Sequence, residues 1–336
     1  MPVPLVPRPV AASVDELLDG ARRLGDHRPA DARSSAGFER VEVDGEPCLV
    51  KYMDPTRDFM VRVSGDIGCR PRRVWAAGLM DVVPERIDHA THGVAPWGPN
   101  GWGAAILMRD VGPQLVPVGD DPVSEAAHLG FLDGIAALAA ALWDWTDDLE
   151  LLPHPARWAF FGISQLEGEA ALGFPEAVPR IASEGWERFD ALAPAAVRDP
   201  IRELRLDPYP LSEAVLATPQ TFLHGDWKLF NLGADDEGRT ILLDWEMPGR
   251  GPGTAELAWY LAINCRRLPL SKDSCIAIYR EALESFAVDT EPWWNRQLAL
   301  ALLGGLVQFG WEKCLGGYDD ELAWWEEAAL RGATEL

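Results

Sequence analysis

Residues 224–231 read HGDWKLFN, and this stretch brings a histidine, an aspartate, a lysine and an asparagine together within a few positions. It follows the apolar residues TFL. A second carboxylate lies further along the chain, where Asp244 follows the apolar run in TILLDWE. Carboxylate and amide oxygens are ligands that Mg²⁺ prefers, and a lysine is a common partner of phosphate groups. The two segments therefore predict a site for magnesium and phosphate.

The residue types in these segments are those that phosphoryl transfer from ATP requires. The reaction needs the phosphates and the metal to be fixed, their charge to be neutralised, and an acceptor hydroxyl to be aimed in line. Asp226 can accept the hydroxyl proton, while Asn231 and Asp244 offer an amide oxygen and a carboxylate to a hard cation. Lys51, on a predicted strand far upstream, would pair with the α- and β-phosphates.

HGDWKLFN followed by LLDWE resembles the catalytic loop and the metal-binding turn of the aminoglycoside phosphotransferase and choline kinase family, which has the protein-kinase-like fold. The resemblance covers most of the chain, from a hairpin carrying Lys51 through a hinge at 106–108 to the helix that begins ELAWYL. It implies an α+β, bilobal fold with a small β-rich N-terminal lobe and a larger, mainly helical C-terminal lobe.

The resemblance also implies roles for single residues. Asp226 would be the catalytic base, and Asn231 and Asp244 would bind Mg²⁺. Lys228 matches a phosphate-contacting lysine of the protein kinases and is expected to act in catalysis, while His224 is expected to brace the loop by hydrogen bonding. The residues expected on the side that binds the ATP cofactor are Lys51, Asp66, Met108, Asp110 and His224.

Two helices depart from the family pattern. The helix after the lysine strand usually offers a glutamate that holds the lysine, but the corresponding window contains only Asp58 and Asp66. Asp66 is the expected partner of Lys51. The helix after the metal turn usually begins with an aspartate that ties down the catalytic loop, and Glu256 stands there instead. Neither change removes a phosphate or metal ligand, so we expect activity to survive.

A chain of 336 residues is too long for one compact core, which predicts two lobes. We place the nucleotide-binding lobe at 1–109, the hinge at about 106–112, and the catalytic and substrate-binding lobe at 110–336. The pattern predicts a hairpin over 35–53 and a buried strand over 102–112. It predicts helices over 14–24, 54–66, 70–80, 124–145, 256–268, 293–315 and 320–331, with helical pieces between 146 and 200.

The net charge of −23 is concentrated in the second part of the chain. Residues 1–109 carry 14 basic and 15 acidic residues, whereas residues 110–336 carry 16 and 38. Such a field repels nucleic acids and anionic membranes and attracts a cationic small molecule. Diffuse surface acidity with a neutral sugar in the pocket is the alternative. No apolar run is long enough to span a bilayer, and the five cysteines are scattered, which favours a cytoplasmic location.

Protein kinases share this catalytic loop, but eleven residues between Asp244 and Glu256 leave no room for an activation segment with its peptide-docking platform. A small-molecule hydroxyl is therefore the better acceptor, which predicts a phosphotransferase with an alcohol group as acceptor. Aminoglycoside-like antibiotics, amino alcohols and neutral sugars all remain open as substrates. A non-catalytic nucleotide-binding protein of the same fold is the competing hypothesis, although it would be free to lose at least one of the motif residues.

Overall fold

The computed structural model describes residues 4–27, 36–54, 56–66, 68–315 and 320–336. The fold is α+β, as predicted: a five-stranded antiparallel sheet dominates the N-terminal part and helices dominate the rest. The strands are β1 (Arg22–His27), β2 (Gly37–Val43), β3 (Glu46–Met53), β4 (Ile87–Asp88), β5 (Thr91–Trp97), β6 (Gly103–Arg109), β7 (Thr221–Leu223), β8 (Leu232–Ala234), β9 (Thr240–Leu242) and β10 (Gly249–Gly251).

The helices are α1 (Val14–Leu17), α2 (Phe59–Val63), α3 (Arg70–Ala77), α4 (Glu125–Ala141), α5 (His154–Trp158), α6 (Ile163–Ala171), α7 (Ala177–Leu192), α8 (Ala195–Leu206), α9 (Tyr209–Leu216), α10 (Gly253–Ile263), α11 (Lys272–Ser285), α12 (Trp294–Lys313) and α13 (Asp320–Ala333). The long helix α12 packs against α7, α10 and α13 and is buried along most of its length. It forms the centre of the helical part.

The predicted hairpin is present as β2 and β3, although residues 28–35, which include its first position, lie outside the described part of the chain. Asp44 and Gly45 form its turn with φ of +51° and +84°, the pair of positive angles that fits the twist of a two-residue hairpin. β3 then lies between β2 and β6 in the sheet order β1-β2-β3-β6-β5. Lys51 therefore stands on a central strand.

The predicted helix over 14–24 is wrong beyond its first turn. α1 ends at Leu17, and β1 occupies 22–27 and pairs antiparallel with β2. β1 is an edge strand in which every residue but the last is exposed, so burial imposed no alternation of apolar and polar residues on its sequence. The predicted helix over 54–66 is shorter than expected, because α2 covers only Phe59–Val63.

The predicted helices over 124–145, 256–268, 293–315 and 320–331 are present as α4, α10, α12 and α13, with ends that differ by up to five residues. On α4, Leu132, Ala136 and Ala139 are buried, whereas Leu129 is 38% exposed. Helices α9 and α11 were not predicted, and α8 extends beyond the predicted region to Leu206. Helix α11 buries only Cys275, Tyr279 and Leu283, a narrow apolar stripe.

Two small sheets hold the segments on either side of HGDWKLFN. β7 pairs antiparallel with β10, and β9 pairs antiparallel with β8. β4, which comes from the N-terminal part, adds to β9 as a parallel neighbour, and Thr240 N donates to Arg86 O over 2.8 Å. The sheet that leads into Asp244 thus joins the two parts of the molecule.

The predicted hinge lies at the end of β6. Asp110 N donates to Pro47 O over 3.0 Å, and the Asp110 carboxylate accepts from Gly112 N over 3.2 Å. A short 3₁₀ turn follows at Gly112–Gln114. The lobe boundary between residues 109 and 110 stays a prediction. Among the described residues, no helix has the length and apolar character needed to cross a membrane.

Candidate active site

A cleft of about 910 Å³ is lined by the five-stranded sheet on one side and by the helical part on the other. It brings together seven of the nine residues that the sequence nominates: Lys51, Met108, Asp110, Asp226, Lys228, Asn231 and Asp244. His224 and Asp66 are not among its lining residues. Residues far apart in sequence therefore meet around one space.

The glycine of HGDWKLFN is required by the backbone. Gly225 has φ of +89°, a left-handed conformation that side chains other than glycine rarely adopt. A Cβ at this position would lie 2.2 Å from Met247 O, closer than real contacts allow. The loop after β7 can therefore turn against the segment after Asp244 only with glycine here.

Glu256 and His224 hold the start of this loop from inside the protein. The Glu256 carboxylate accepts from His224 N over 2.7 Å and from Gly225 N over 2.8 Å. His224 Nδ1 accepts from Asp226 N over 3.2 Å, so the expected bracing contact is present. Burial raises the pKa of Glu256 to about 7 and lowers that of His224 to about 3. His224 is thus a neutral structural residue at ordinary pH.

Asn264, at the end of α10, holds the next part of the loop, a contact that no pattern in the sequence predicts. Its Oδ1 accepts from Leu229 N and its Nδ2 donates to Trp227 O, both over 2.9 Å. Trp227 is fully buried, so it anchors the loop in the core. The loop is therefore tied to both ends of one helix, since Glu256 lies in the first turn of α10 and Asn264 follows its last residue.

Asp226 is surrounded by three hydrogen-bond donors. Its Oδ2 lies 2.8 Å from Lys228 Nζ and accepts from Asn231 Nδ2 over 2.9 Å. Its Oδ1 accepts from the indole Nε1 of Trp259 over 3.1 Å. Burial raises the pKa of Asp226, although Lys228 opposes the shift. A carboxylate with a raised pKa is better matched to accepting a proton near neutral pH.

Lys51 is held by carboxylates that follow β9. Its Nζ donates to Asp244 Oδ1 over 2.8 Å and also to Glu246, which is the last residue of DWE. Burial disfavours the charged form of Lys51, but Asp244 and Glu246 outweigh burial and raise its pKa above the ordinary value. Glu246 was not predicted as a site residue, although it lies in the quoted motif.

The expected pairing of Asp66 with Lys51 is wrong. Both oxygens of Asp66 accept from Arg70 N, over 3.0 and 2.8 Å, so Asp66 lies at the start of α3. Of the two candidates, Asp58 is the one whose charge raises the pKa of Lys51. Asp58 caps α2 by accepting from Met60 N over 3.1 Å. The carboxylates that bind Lys51 therefore come from the segment after β9, and not from the helix after β3.

The carboxylates around the two lysines differ in their tendency to hold a proton. Burial disfavours the charged form of Asp244, but Lys51 and Lys228 outweigh burial and lower its pKa. Burial and the charge of Asp244 raise the pKa of Glu246. Lys228 Nζ lies 3.8 Å from Asp244 Oδ2, between the two motif aspartates. Asp244 is thus the anion that would face a cation.

Asn231 and Asp244, the residues predicted to bind Mg²⁺, fit a cation whose other ligands are phosphate oxygens and water. Asn231 uses its Nδ2 on Asp226, which leaves its Oδ1 available, and Asn231 O accepts from Leu243 N over 2.9 Å beside Asp244. The described residues contain no group of three or more His, Cys, Asp or Glu that could hold a metal ion. Mg²⁺ characteristically takes one or two carboxylates and completes its shell with phosphate oxygens and water.

The walls of the cleft are apolar on both sides of these charges. The sheet side is lined by Phe38, Leu49, Ile106 and Met108. On the helical side, Trp259 packs on Phe309 with ring centroids 4.8 Å apart, and Phe161 packs on Trp311 at 5.1 Å. Two carboxylates, Glu176 and Glu312, also line the cleft. The cleft therefore combines an apolar slot on the sheet side with an aromatic wall beside Asp226.

Comparison with known proteins places this arrangement in a family. The model of the phosphotransferase enzyme family (APH) matches residues 72–294, about two thirds of the chain. The chain therefore belongs to this family. It is a phosphotransferase that acts on a hydroxyl group. No curated protein matches its sequence.

Several solved structures have a similar fold at low sequence identity. The choline kinase LicA from Streptococcus pneumoniae has 12% identity and a TM-score of 0.52, with 96% of each chain covered. The macrolide 2′-phosphotransferase MphH from Brachybacterium faecium has 14% identity and a TM-score of 0.48, with 94% of this chain and 97% of that chain covered. The aminoglycoside phosphotransferase APH(4)-Ia, solved with ADP and hygromycin B, has 10% identity, a TM-score of 0.47, and coverage of 93% and 94%.

Proposed function

We propose that this phosphotransferase transfers the γ-phosphoryl group of ATP, with Mg²⁺, to a hydroxyl of a cationic small molecule that also has a large apolar surface. The observation that carries the proposal is the meeting of Asp226, Lys228, Asn231 and Asp244 with Lys51 in one cleft. These residues come from segments as far apart as β3 and the turn after β9. Together they would supply a proton acceptor (Asp226), two positive charges for the phosphates (Lys51 and Lys228) and two oxygen ligands for the metal (Asn231 and Asp244).

In this proposal Asp226 is the base. Its carboxylate accepts the proton of the acceptor hydroxyl while the acceptor oxygen forms a bond to the γ-phosphorus. The bond from the γ-phosphorus to the bridging oxygen breaks, and ADP leaves with that electron pair. Lys228, which lies 2.8 Å from Asp226 and 3.8 Å from Asp244, would stabilise the negative charge of the transferring group.

The nucleotide side of the proposal rests on the sheet. Lys51 would contact the α- and β-phosphates, and the apolar slot formed by Phe38, Leu49 and Ile106 has the character of an adenine pocket. Met108 and Asp110 at the end of β6 stay proposed cofactor-binding residues. Asn231 and Asp244 would hold Mg²⁺, which when bound neutralises the charge on the phosphates.

The acceptor side combines aromatic rings with a limited negative charge. Glu176 and Glu312 line it, but Arg62 lies 3.3 Å from Glu176 and Lys313 lies 2.6 Å from Glu312. Each carboxylate already has a basic partner, so the wall suits one amine better than a polycation. The aromatic residues Trp259, Phe309 and Trp311 would cover the apolar part of the acceptor and can attract a cation through their faces.

A screen of acceptors tests the proposal. Mg²⁺-dependent ADP release is measured with choline, hygromycin B, a macrolide and a neutral hexose, each in low and high salt. We expect turnover with the macrolide, which among the four compounds is the monobasic, largely apolar amine. We expect high salt to raise its KM, because the Debye length falls from ~10 Å at 0.1 M to ~3 Å at 1 M. Phosphorylation of the hexose alone, with a salt-insensitive KM, would support a neutral metabolite as substrate. Absence of ATP turnover with every acceptor and with water would support a non-catalytic nucleotide-binding protein.

A further inference from the structure

The proposed base has one partner to which the mechanism above gives no role. Trp259 lies on α10, is 4% exposed, and lines the cleft next to Asp226. Its indole N–H donates to Asp226 Oδ1 over 3.1 Å. An indole has a single donor and no acceptor, so a buried tryptophan whose donor is used on a carboxylate fixes the direction of that contact.

Counting lone pairs shows which oxygen of Asp226 is free to react. Each carboxylate oxygen can accept about two hydrogen bonds. Oδ2 already has two donors, Lys228 Nζ at 2.8 Å and Asn231 Nδ2 at 2.9 Å. Among the described residues, the indole of Trp259 is the only donor to Oδ1. One lone pair therefore remains, and it belongs to Oδ1.

We propose that Trp259 is a positioning residue, whose indole N–H holds the Asp226 carboxylate so that the free lone pair of Oδ1 faces the acceptor hydroxyl. This inference rests on the proposed role of Asp226 as the base. Without the indole donor, only the contacts of Oδ2 with Lys228 and Asn231 would oppose rotation of the carboxylate about its Cβ–Cγ bond, so its orientation would vary more. Oδ1 would then spend less time in the orientation that accepts the proton.

The surroundings of Trp259 keep the indole in place. Its ring packs edge to face against Phe309 of α12, with centroids 4.8 Å apart and an angle of 74° between the planes. Glu256 lies three positions earlier on α10, on the same side of the helix, and binds the backbone of His224 and Gly225. One helix face therefore holds both the loop backbone and the reactive carboxylate.

The variant Trp259→Phe removes the N–H and keeps an aromatic ring in the wall. Mg²⁺-dependent ADP release is measured with each acceptor of the screen above that the wild-type protein phosphorylates, and with water. We expect kcat to fall by about 10- to 100-fold, because a misplaced base loses much of its effect, while KM for ATP stays within about twofold. A fall in kcat of less than about twofold would overturn the inference.

A double-mutant cycle separates positioning of the base from a general effect on packing. If Trp259 acts through Asp226, Trp259→Phe has no further effect on the residual rate once Asp226→Asn is present. A multiplicative effect in the double variant would overturn the inference. Should Asp226→Asn alone keep wild-type turnover, the proposed base itself is wrong, and that result is distinct from failure of the Trp259 proposal.

A spectroscopic readout needs no acceptor. In protein labelled with ¹⁵N-tryptophan, the indole resonance that is missing in Trp259→Phe should shift in Asp226→Asn, because its acceptor has changed. Trp311 is the matched comparison, since it also lines the cleft but donates to Gln308 O over 2.9 Å within its own helix. Its resonance, identified with Trp311→Phe, should move less. An unshifted Trp259 resonance would show that the contact is absent and would overturn the inference.

Discussion

The charged side chains at the site include more acidic groups than basic groups. The carboxylates of Asp226, Asp244 and Glu246 surround the ammonium groups of Lys51 and Lys228. If all were ionised, the group would carry one net negative charge in a buried place. The raised pKa of Glu246 shows how this charge is reduced before a cation arrives. A divalent cation bound by Asp244 would reverse the sign of the balance and leave the site ready for phosphates.

The first prediction concerns Glu246. Glu246→Ala leaves Lys51 with Asp244 as its one remaining close ion-pair partner among the described residues, so the lysine would compete with Mg²⁺ for that carboxylate. We expect the Mg²⁺ concentration for half-maximal rate to rise and kcat/KM for ATP to fall by about 10-fold, the effect of ~1.4 kcal/mol. Steady-state kinetics over a range of Mg²⁺ concentrations measure both.

The matched variant for that experiment is Glu176→Ala, which removes another carboxylate that lines the cleft. It should raise KM for the acceptor and leave the Mg²⁺ dependence unchanged, since its close partner is Arg62. If both variants gave the same Mg²⁺ dependence, Glu246 would have no part in holding Lys51.

Sequence reasoning reached the residues that share a local motif. Asp226, Lys228 and Asn231 fall within a few positions, and a loop of this length must bring them together. Trp259 and Asn264 could not be found in this way, because their contacts with the loop depend on how α10 packs under it. The Asp66 error has the same origin. Spacing along the chain suggested a carboxylate near Lys51, but three-dimensional packing placed Asp66 on Arg70 and supplied Glu246 instead.

At the scale of elements, α10 is the support of the catalytic loop. The second prediction is that Asn264→Ala lowers both stability and kcat. The substitution leaves Leu229 N and Trp227 O without their partner, and an unsatisfied buried polar group costs about 1–3 kcal/mol. Thermal unfolding measures the stability, and turnover is measured well below the melting temperature.

Gln297→Ala is the comparison for this experiment. Gln297 lies on α12, is fully buried, and binds the opposite end of α10 through Thr254, as well as Thr218 and Pro219. It should lower the melting temperature by a similar amount while kcat stays close to wild type. Equal losses of kcat in the two variants would mean that Asn264 affects activity only through general stability.

The elements that were predicted well are those whose burial shows in the sequence. β3 and β6 carry apolar runs, β2 is joined to β3 by a DG turn, and α12 has the long apolar stretch of a buried helix. β1 is an exposed edge strand stabilised by pairing with β2, and its sequence RRLGDH carries no periodic signal. When a strand forms mainly through backbone hydrogen bonds to a neighbouring strand, its own side chains carry no pattern from which it could be predicted.

For the whole molecule, buried histidines set the response to acid. Burial lowers the pKa of both His128 and His154 to about 4. The unfolded chain would bind these protons near pH 6.5, so the unfolded state gains protons first as pH falls. The third prediction is that each histidine's contribution to stability is complete above about pH 6.5 and is lost between pH 6.5 and 4, by up to about 3 kcal/mol.

Denaturant unfolding from pH 7.5 to 4 tests this prediction with the variants His128→Gln and His154→Gln. Each should flatten the dependence of the unfolding free energy on pH in this interval. Carboxyl groups with raised pKa values, such as Glu256, act in the opposite direction and are present in wild type and variants alike. The difference between the curves therefore isolates the histidines, and parallel curves would contradict the assignment.

The backbone of Asp244 has a consequence for how this chain responds to selection. Asp244 has φ of +68°, a conformation that costs an L-residue roughly 1 kcal/mol and costs glycine nothing. Glycine would remove this backbone cost, but it would also remove the carboxylate that pairs with the buried Lys51, and breaking a buried ion pair costs about 3–5 kcal/mol. A library selected only for heat resistance should therefore retain the aspartate, as a library selected for turnover should. Asp244→Gly should become neutral or favourable only after Lys51 has been replaced by an uncharged residue, and directed evolution that starts from Lys51→Met would test this order of substitutions.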